Sequence, residues 1–248
     1  MTSRNYEFVT NDTISVNGVT LTRIRAIRDI PIHGVEVGDI GGYIEKYENL
    51  TENAWVSVIA WVSGDAQVSG NAQVYDNARV YDNARVSGDA WVYGNAQVFG
   101  KACVSGNARV SGNARVSGDA RVSGNARVYG KACVSGKACV YDNARVYDNA
   151  RVYDNARVAG DACVYGDACV SGDAMIQSTT DYITIGPARS SGRYTTSFID
   201  SEIGVRVVTG CFSGSISEFK SAIESTHANN EQNLRQYRGF VAVIEASF

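Results

Sequence analysis

The chain has 248 residues, of which 44% are hydrophobic, and carries a formal net charge of -3 with only two histidines and two prolines against 25 glycines. It is too apolar to be a disordered tail and long enough for one large domain or two to three small ones. The near balance of charge creates no global field to draw nucleic acid or an acidic membrane surface, so any anion binding has to be local.

No apolar run approaches the ~18 residues needed to cross a bilayer. The start, MTSRNYEFVTND, lacks the basic-then-apolar pattern of a secretory signal. The expectation is a cytoplasmic protein without membrane contact. Abundant glycine with almost no proline suits stacked repeats, which need tight corners and cannot spare ladder donors.

Residues 1–50 contain no repeat. ISVNGVTLTRIRAIRDI places Asn17-Gly18 between apolar alternations, which predicts a hairpin, and GDIGGYIEKYENL leads from it towards Ala54. An open repeat end exposes unpaired strand edges, so this segment is read as an N-terminal β cap. Arg23, Arg25 and Arg28 are expected as exposed hairpin charges, and His33, between Pro31 and Gly34, as a loop residue.

From 51 to 178 the chain is a six-residue word. Alanine returns at every sixth position from Ala54 to Ala174, and two places later stands valine from Val56 to Val170, with Ile176 closing the series. Alanine and valine both inward make a short strand of period two, and the Gly, Asp or Asn at the corner tolerates positive φ. Three words close a triangle of 18 residues, so the twenty-one words predict seven coils of parallel strands. At ~4.8 Å per coil the prism is about 34 Å long.

This periodicity resembles the hexapeptide-repeat family, although the usual glycine stands here one place later. The resemblance implies a left-handed parallel β-helix and a homo-oligomer, with a trimer favoured. Family members that transfer acyl groups use a histidine base, and the carbonic anhydrase branch holds zinc with three. The words here contain no histidine, which argues against both activities.

An 18-residue coil stacks outward residues 18 apart. One column holds Trp55, Gln73, Trp91, Arg109, Arg127, Arg145 and Cys163; a second holds Trp61, Arg79, Gln97, Arg115, Cys133, Arg151 and Cys169; a third runs from Gln67 through Cys103 and Cys139 to Met175. Beside the first runs a corner series, Ser57, Tyr75, Tyr93, Ser111, Tyr129, Tyr147 and Tyr165, in which tyrosine stacking is expected, with Arg127 and Arg145 near enough for cation–π contact. Residues 49–178 hold twelve Lys and Arg against twelve Asp and Glu, so an internally neutralised face is favoured over a nucleic-acid groove. Cys103 with Cys139, and Cys133 with Cys169, lie two coils or ~9.6 Å apart, beyond the ~7 Å Cα separation a disulfide allows. Reduced thiols and no metal site follow.

Residues 179–248 read as a small α+β domain, making the whole chain mainly β. Tyr182 to Ile185, Tyr194 to Ile199 and Ile203 to Val208 are expected strands; SISE then opens a helix with Ser215 as N-cap and Glu218 closing a capping box. Leu234, Tyr237, Val241, Ile244 and Phe248 mark a second helical face. In GPARSSGR, Arg189, Ser190, Ser191, Gly192 and Arg193 offer amides, hydroxyls and guanidinium groups to an anion. Cys211 is expected just before a helix start, where the dipole favours a thiolate, and His227 is the one candidate base of this domain, ~18 Å away along the helix. These two are the only catalytic candidates.

The flanks are also similar to a group of uncharacterised phage and prophage accessory proteins, through GDIGGYIEKYENLTENAWV, ITIGPARSSGRYTTSF and TGCFSGSISEF. That likeness implies a host-cell context. The favoured reading is a non-enzymatic oligomeric binding protein without cofactor, whose prism presents a C-terminal domain to a small anionic ligand such as a nucleotide, or to a host protein, as in anti-defence sequestration. A virion or assembly spacer and a cysteine-dependent enzyme are the alternatives.

Overall fold

Two inward positions per word, alanine and valine, decide the architecture, because each is too small to hold a coil open and too apolar to face water. In the computed structural model, which describes residues 4–248, both columns are fully buried from Ala60 to Val170. Twenty-one two-residue strands, Trp55–Val56 to Met175–Ile176, form three parallel faces of seven rungs each. Every rung pairs with the one 18 residues on, as Arg127 with Arg145 and Val128 with Val146. The ladder is continuous: Arg127 N–H donates to the Ala144 carbonyl at 2.9 Å and Tyr129 N–H to that of Val146 at 3.0 Å.

Corners need a left-handed residue. Glycine supplies it at most of them, and Asp76, Asp82, Asp142, Asp148 and Asp154 supply it at φ 57–61°. These aspartates have a second task, since each accepts from the amide of the glycine one coil later: Gly94 N–H donates to Asp76 at 3.1 Å, and those of Gly100, Gly160, Gly166 and Gly172 donate likewise to Asp82, Asp142, Asp148 and Asp154. The neutralisation expected from the charge count is therefore not made by ion pairs. Among the described residues, no repeat arginine lies within 4.0 Å of a carboxylate oxygen, and the one ion pair reaching a repeat residue is Lys46 with Asp65.

At the N-terminal end, strands Tyr6–Val16 and Val19–Ala26 form the expected hairpin around Asn17-Gly18, both at positive φ. Strand Ile40–Ile44 pairs antiparallel with the hairpin and parallel with rung Trp61–Val62, so the cap extends one face of the prism. Gly42 permits this junction, because a Cβ there would stand 2.4 Å from the Ala60 carbonyl oxygen. Arg23 departs from its expected exposure: it lies flat over Tyr43 at 4.4 Å and pairs with Asp12 at 2.7 Å, partly buried. His33 sits in a 3-10 turn, Pro31–His33, with its ring hydrogen-bonded to Gln73.

The C-terminal unit closes the other end. Strands Tyr182–Ile185, Thr195–Asp200, Gly204–Thr209 and Phe212–Ser215 form one antiparallel sheet. Phe198 and Val208 enter the same core as the alanine and valine columns, and Asp200 bridges to Ala174. Val207, on the opposite face, packs with Phe219, Ile223, Tyr237, Phe240, Val241 and Ile244 of helices α1 (Ile216–Thr226) and α2 (Glu231–Ser247). Ser215 and Glu218 make the expected capping box. Among the described residues no helix is long and apolar enough to cross a membrane.

Candidate functional site

The fourth C-terminal strand, Phe212–Ser215, corrects the position of Cys211. Strand Gly204–Thr209 turns through Gly210-Cys211 into it, with Thr209 opposite Phe212. Cys211 is thus an exposed hairpin-turn residue separated from α1 by a whole strand, with no helix dipole to act on it. TGCFSGS carried the turn signal in its Gly210, at φ 57°. His227 caps the far end of α1 and stacks on Tyr237 with ring centroids 5.0 Å apart at 9°. Nothing brings the two candidates together.

The loop 189–193 is exposed, but most of its amides are already used. Arg189 N–H donates to Gln236 Oε1 at 2.9 Å, Gly192 N–H to the Ala188 carbonyl at 2.7 Å, and Arg193 N–H to Ser191 Oγ at 3.3 Å. Ser190 Oγ shares a hydrogen bond with Tyr237 Oη at 3.0 Å. What the loop keeps for solvent is the two guanidinium groups. Arg193 lies against the hairpin turn, its Cδ 3.3 Å from the position a Cβ on Gly210 would occupy.

That contact ties the loop to a cleft on the second face. Where the Gly210 turn overhangs the second column, a cleft of about 680 Å³ is lined by Arg115, Lys131 and Arg151, with Cys133, Cys169, Tyr153 and Gly210. Its charged lining is entirely positive. Arg115 and Arg151 sit on rungs either side of Cys133 in strict register, because the parallel ladder aligns them. Cys169 lines the cleft with its sulfur 3.8 Å from the Tyr153 hydroxyl; burial raises its thiol pKa and the Tyr153 hydroxyl partly opposes this. The Tyr153 hydroxyl is likewise raised, mainly by burial. Sequence reasoning named the rungs; it could not place the hairpin over them.

The first column presents a different surface. Tyrosines 75 and 93 stack with centroids 4.9 Å apart at 3°, Tyr129 and Tyr147 at 4.9 Å and 2°, and Tyr147 and Tyr165 at 5.4 Å. Arg109 lies over Trp91 at 4.6 Å, as Arg79 does over Trp61 at 5.7 Å on the second column; among the described residues the contacts expected from Arg127 and Arg145 are not formed.

A family model described as the YdcK beta solenoid repeat matches residues 72–83, 78–94, 102–118, 108–121, 120–136 and 150–166. All six matches fall inside the prism, so the likeness is to a repeat β-solenoid scaffold and leaves both flanks untouched. No curated protein matches the chain.

Proposed function

We propose that this protein is a non-enzymatic binding protein that holds a small anionic ligand in the cleft beneath the Gly210-Cys211 turn and sequesters it. One observation carries the reading: Arg115, Lys131 and Arg151 share a single cleft whose lining holds no acidic residue, and among the described residues neither arginine has a carboxylate oxygen within 4.0 Å. Arg115 and Arg151 stand two rungs or ~9.6 Å apart, with Lys131 in the coil between, and cations so gathered repel unless an anion screens them. The volume of about 680 Å³ lies within the ~300–1,000 Å³ range of small-molecule sites.

Two further features support it. Arg193, packed on Gly210, brings a guanidinium group beside the cleft, so the loop read from sequence contributes charge and not an amide cradle. Cys211 lies a whole strand before α1 and His227 caps the far end of that helix, which favours capture over conversion. In a phage setting the captured anion would be a host phosphate-bearing signal, and the repeated prism faces would serve a homotrimer.

Native mass spectrometry of protein purified from its own host tests both parts, reading stoichiometry and any retained mass together. The expected result is a bound anionic mass that Arg115→Ala with Arg151→Ala releases. No retained mass, together with no thermal shift from pyrophosphate or nucleotides, would remove the reading.

A further inference from the structure

The tyrosine column on the first face is interrupted once between tyrosines. Its corner positions run Tyr75, Tyr93, Ser111, Tyr129, Tyr147, so a single serine stands where the register would place a ring. Tyr93 and Tyr129 are two coils apart, ~9.6 Å. Each already stacks on its outer neighbour, in parallel pairs 4.9 Å apart. A planar ring seated over Ser111 would meet both at the spacing the column uses within itself. Stacking of that kind is tolerant of the ring's identity, because every base has a π face.

Beside this gap the chain places charge. A slot of about 230 Å³ is lined by Tyr93, Tyr129, Ser111 and the successive rungs Arg109, Arg127 and Arg145. Arg109 is turned onto Trp91. Arg127 and Arg145 have neither a carboxylate nor a ring as partner among the described residues. Their flank on the opposite side is an amide ladder, Asn107 to Asn125 to Asn143, whose last member donates to Asp161 one coil beyond Arg145. The slot is smaller than the ~300 Å³ lower bound of enclosed ligand sites, so it accommodates the ring of a ligand and leaves its charged part along the arginine row.

We infer that the Ser111 gap is a nucleoside phosphate site, with the base inserted between Tyr93 and Tyr129 and the phosphates on Arg127 and Arg145. Flat aromatic and multiply charged anion are combined in that class of molecule, and a gap one rung wide admits one base. The other corner columns offer no equivalent: Phe99 and Tyr153 on the second face are separated by two serines, Ser117 and Ser135. This site lies on a different sheet from Arg115 and Arg151, and its existence is independent of the cleft.

The experiment is equilibrium dialysis of the full chain with ATP, adenosine and sodium triphosphate, repeated on four variants. ATP is expected to bind saturably and at least about tenfold tighter than either fragment, since one molecule engages both halves. Ser111→Tyr restores the residue found at this register in adjacent coils, so it preserves folding, checked by thermal melting, while filling the gap; ATP affinity should fall at least about tenfold, with triphosphate binding unchanged. Arg127→Gln with Arg145→Gln should weaken ATP and triphosphate alike by about tenfold or more. The Arg115→Ala with Arg151→Ala variant removes the cleft, so ATP and triphosphate are compared in it; the saturable ATP site should remain there, and adding Ser111→Tyr should abolish it. The inference is overturned if Ser111→Tyr keeps full ATP affinity, if triphosphate binds as well as ATP, or if no saturation occurs below ~1 mM. ATP binding lost only with the Arg115 and Arg151 pair would assign the nucleotide to the cleft instead. A ten-residue thymidine oligonucleotide that outcompetes ATP and tolerates Ser111→Tyr would assign the arginine row to nucleic acid and overturn the one-base site.

Discussion

Asp148 and Gly166 hold consecutive coils together at one corner: the Gly166 amide donates to Asp148 Oδ2 at 3.3 Å, and Asp148 itself adopts φ 58°. The repeated YDN words thus use aspartate as a corner residue that also clips to the next coil. Asn tolerates the left-handed region and keeps an acceptor, so Asp148→Asn should change stability by less than ~0.5 kcal/mol. Asp148→Ala loses the acceptor and puts an alanine Cβ in the disfavoured region, at a cost of about 1–2 kcal/mol. Urea unfolding of the two variants beside the parent separates them; equal losses would show that charge, and not corner geometry, is what Asp148 supplies.

Val58 is the opposite case. It occupies a corner at φ 60°, where a β-branched residue is strained, and it is 56% exposed, so packing does not compensate. Relief of ~2 kcal/mol of left-handed strain outweighs the ~1 kcal/mol of extra chain entropy that glycine loses on folding. Val58→Gly should therefore stabilise the N-terminal coils by about 1 kcal/mol, read as a higher urea midpoint at unchanged slope.

Both corners show what was legible and what was not. The inward alanine and valine, the three columns and the tyrosine stack follow from an 18-residue period, because a parallel ladder forces register and leaves tertiary context little to decide. The Asn17-Gly18 hairpin and the Ser215 capping box were equally plain, since each is a local hydrogen-bond pattern. The role of the corner aspartates was missed because the sequence shows an Asp near an Arg and does not show that the glycine amide 18 residues on is closer. Cys211 was misplaced for a related reason: FSGS has little strand propensity, and only pairing with Arg206 to Thr209 makes it a strand. The cleft needed the docking of the C-terminal sheet, which no local signal records.

That docking depends on Asp200. Its side chain is fully buried and accepts from Arg206 Nε at 2.8 Å and from the amides of Asp173 and Glu202 at 2.9 Å each. Burial pushes its carboxyl pKa up, but the hydrogen bonds from Arg206, Glu202 and Asp173 together hold it below the ordinary value of 3.8. A depressed folded pKa adds stability at neutral pH that is retained down to about pH 4 and lost as pH falls through the folded value. Asp200→Asn leaves Arg206 poorly compensated and should cost about 3 kcal/mol, releasing the C-terminal unit from the last coil. Limited proteolysis checks both: the variant should be cut within 179–248 at pH 7, and the parent only below about pH 4.

The same docking sets the order in which the six thiols react. Cys211 is exposed on its hairpin turn, and the repeat cysteines are half-buried on their rungs. Cys169 stands on the last rung of its face against the C-terminal sheet, where burial raises its pKa above the usual 9.0 and lowers its thiolate fraction at pH 8. Iodoacetamide labelling followed by peptide mass spectrometry should therefore modify Cys211 first and Cys169 last. Because Cys133 and Cys139 occupy different faces of one prism, neither should protect the other through a disulfide under mild oxidant. If Asp200→Asn frees the C-terminal sheet, Cys169 should overtake the other repeat cysteines in that variant, since the amide of Cys169 then loses its bond to Thr196 Oγ1 and the cleft its overhang. Equal labelling of Cys169 and Cys211 in the parent would mean that the hairpin does not cover the second column, and the anion cleft proposed there would fall with it.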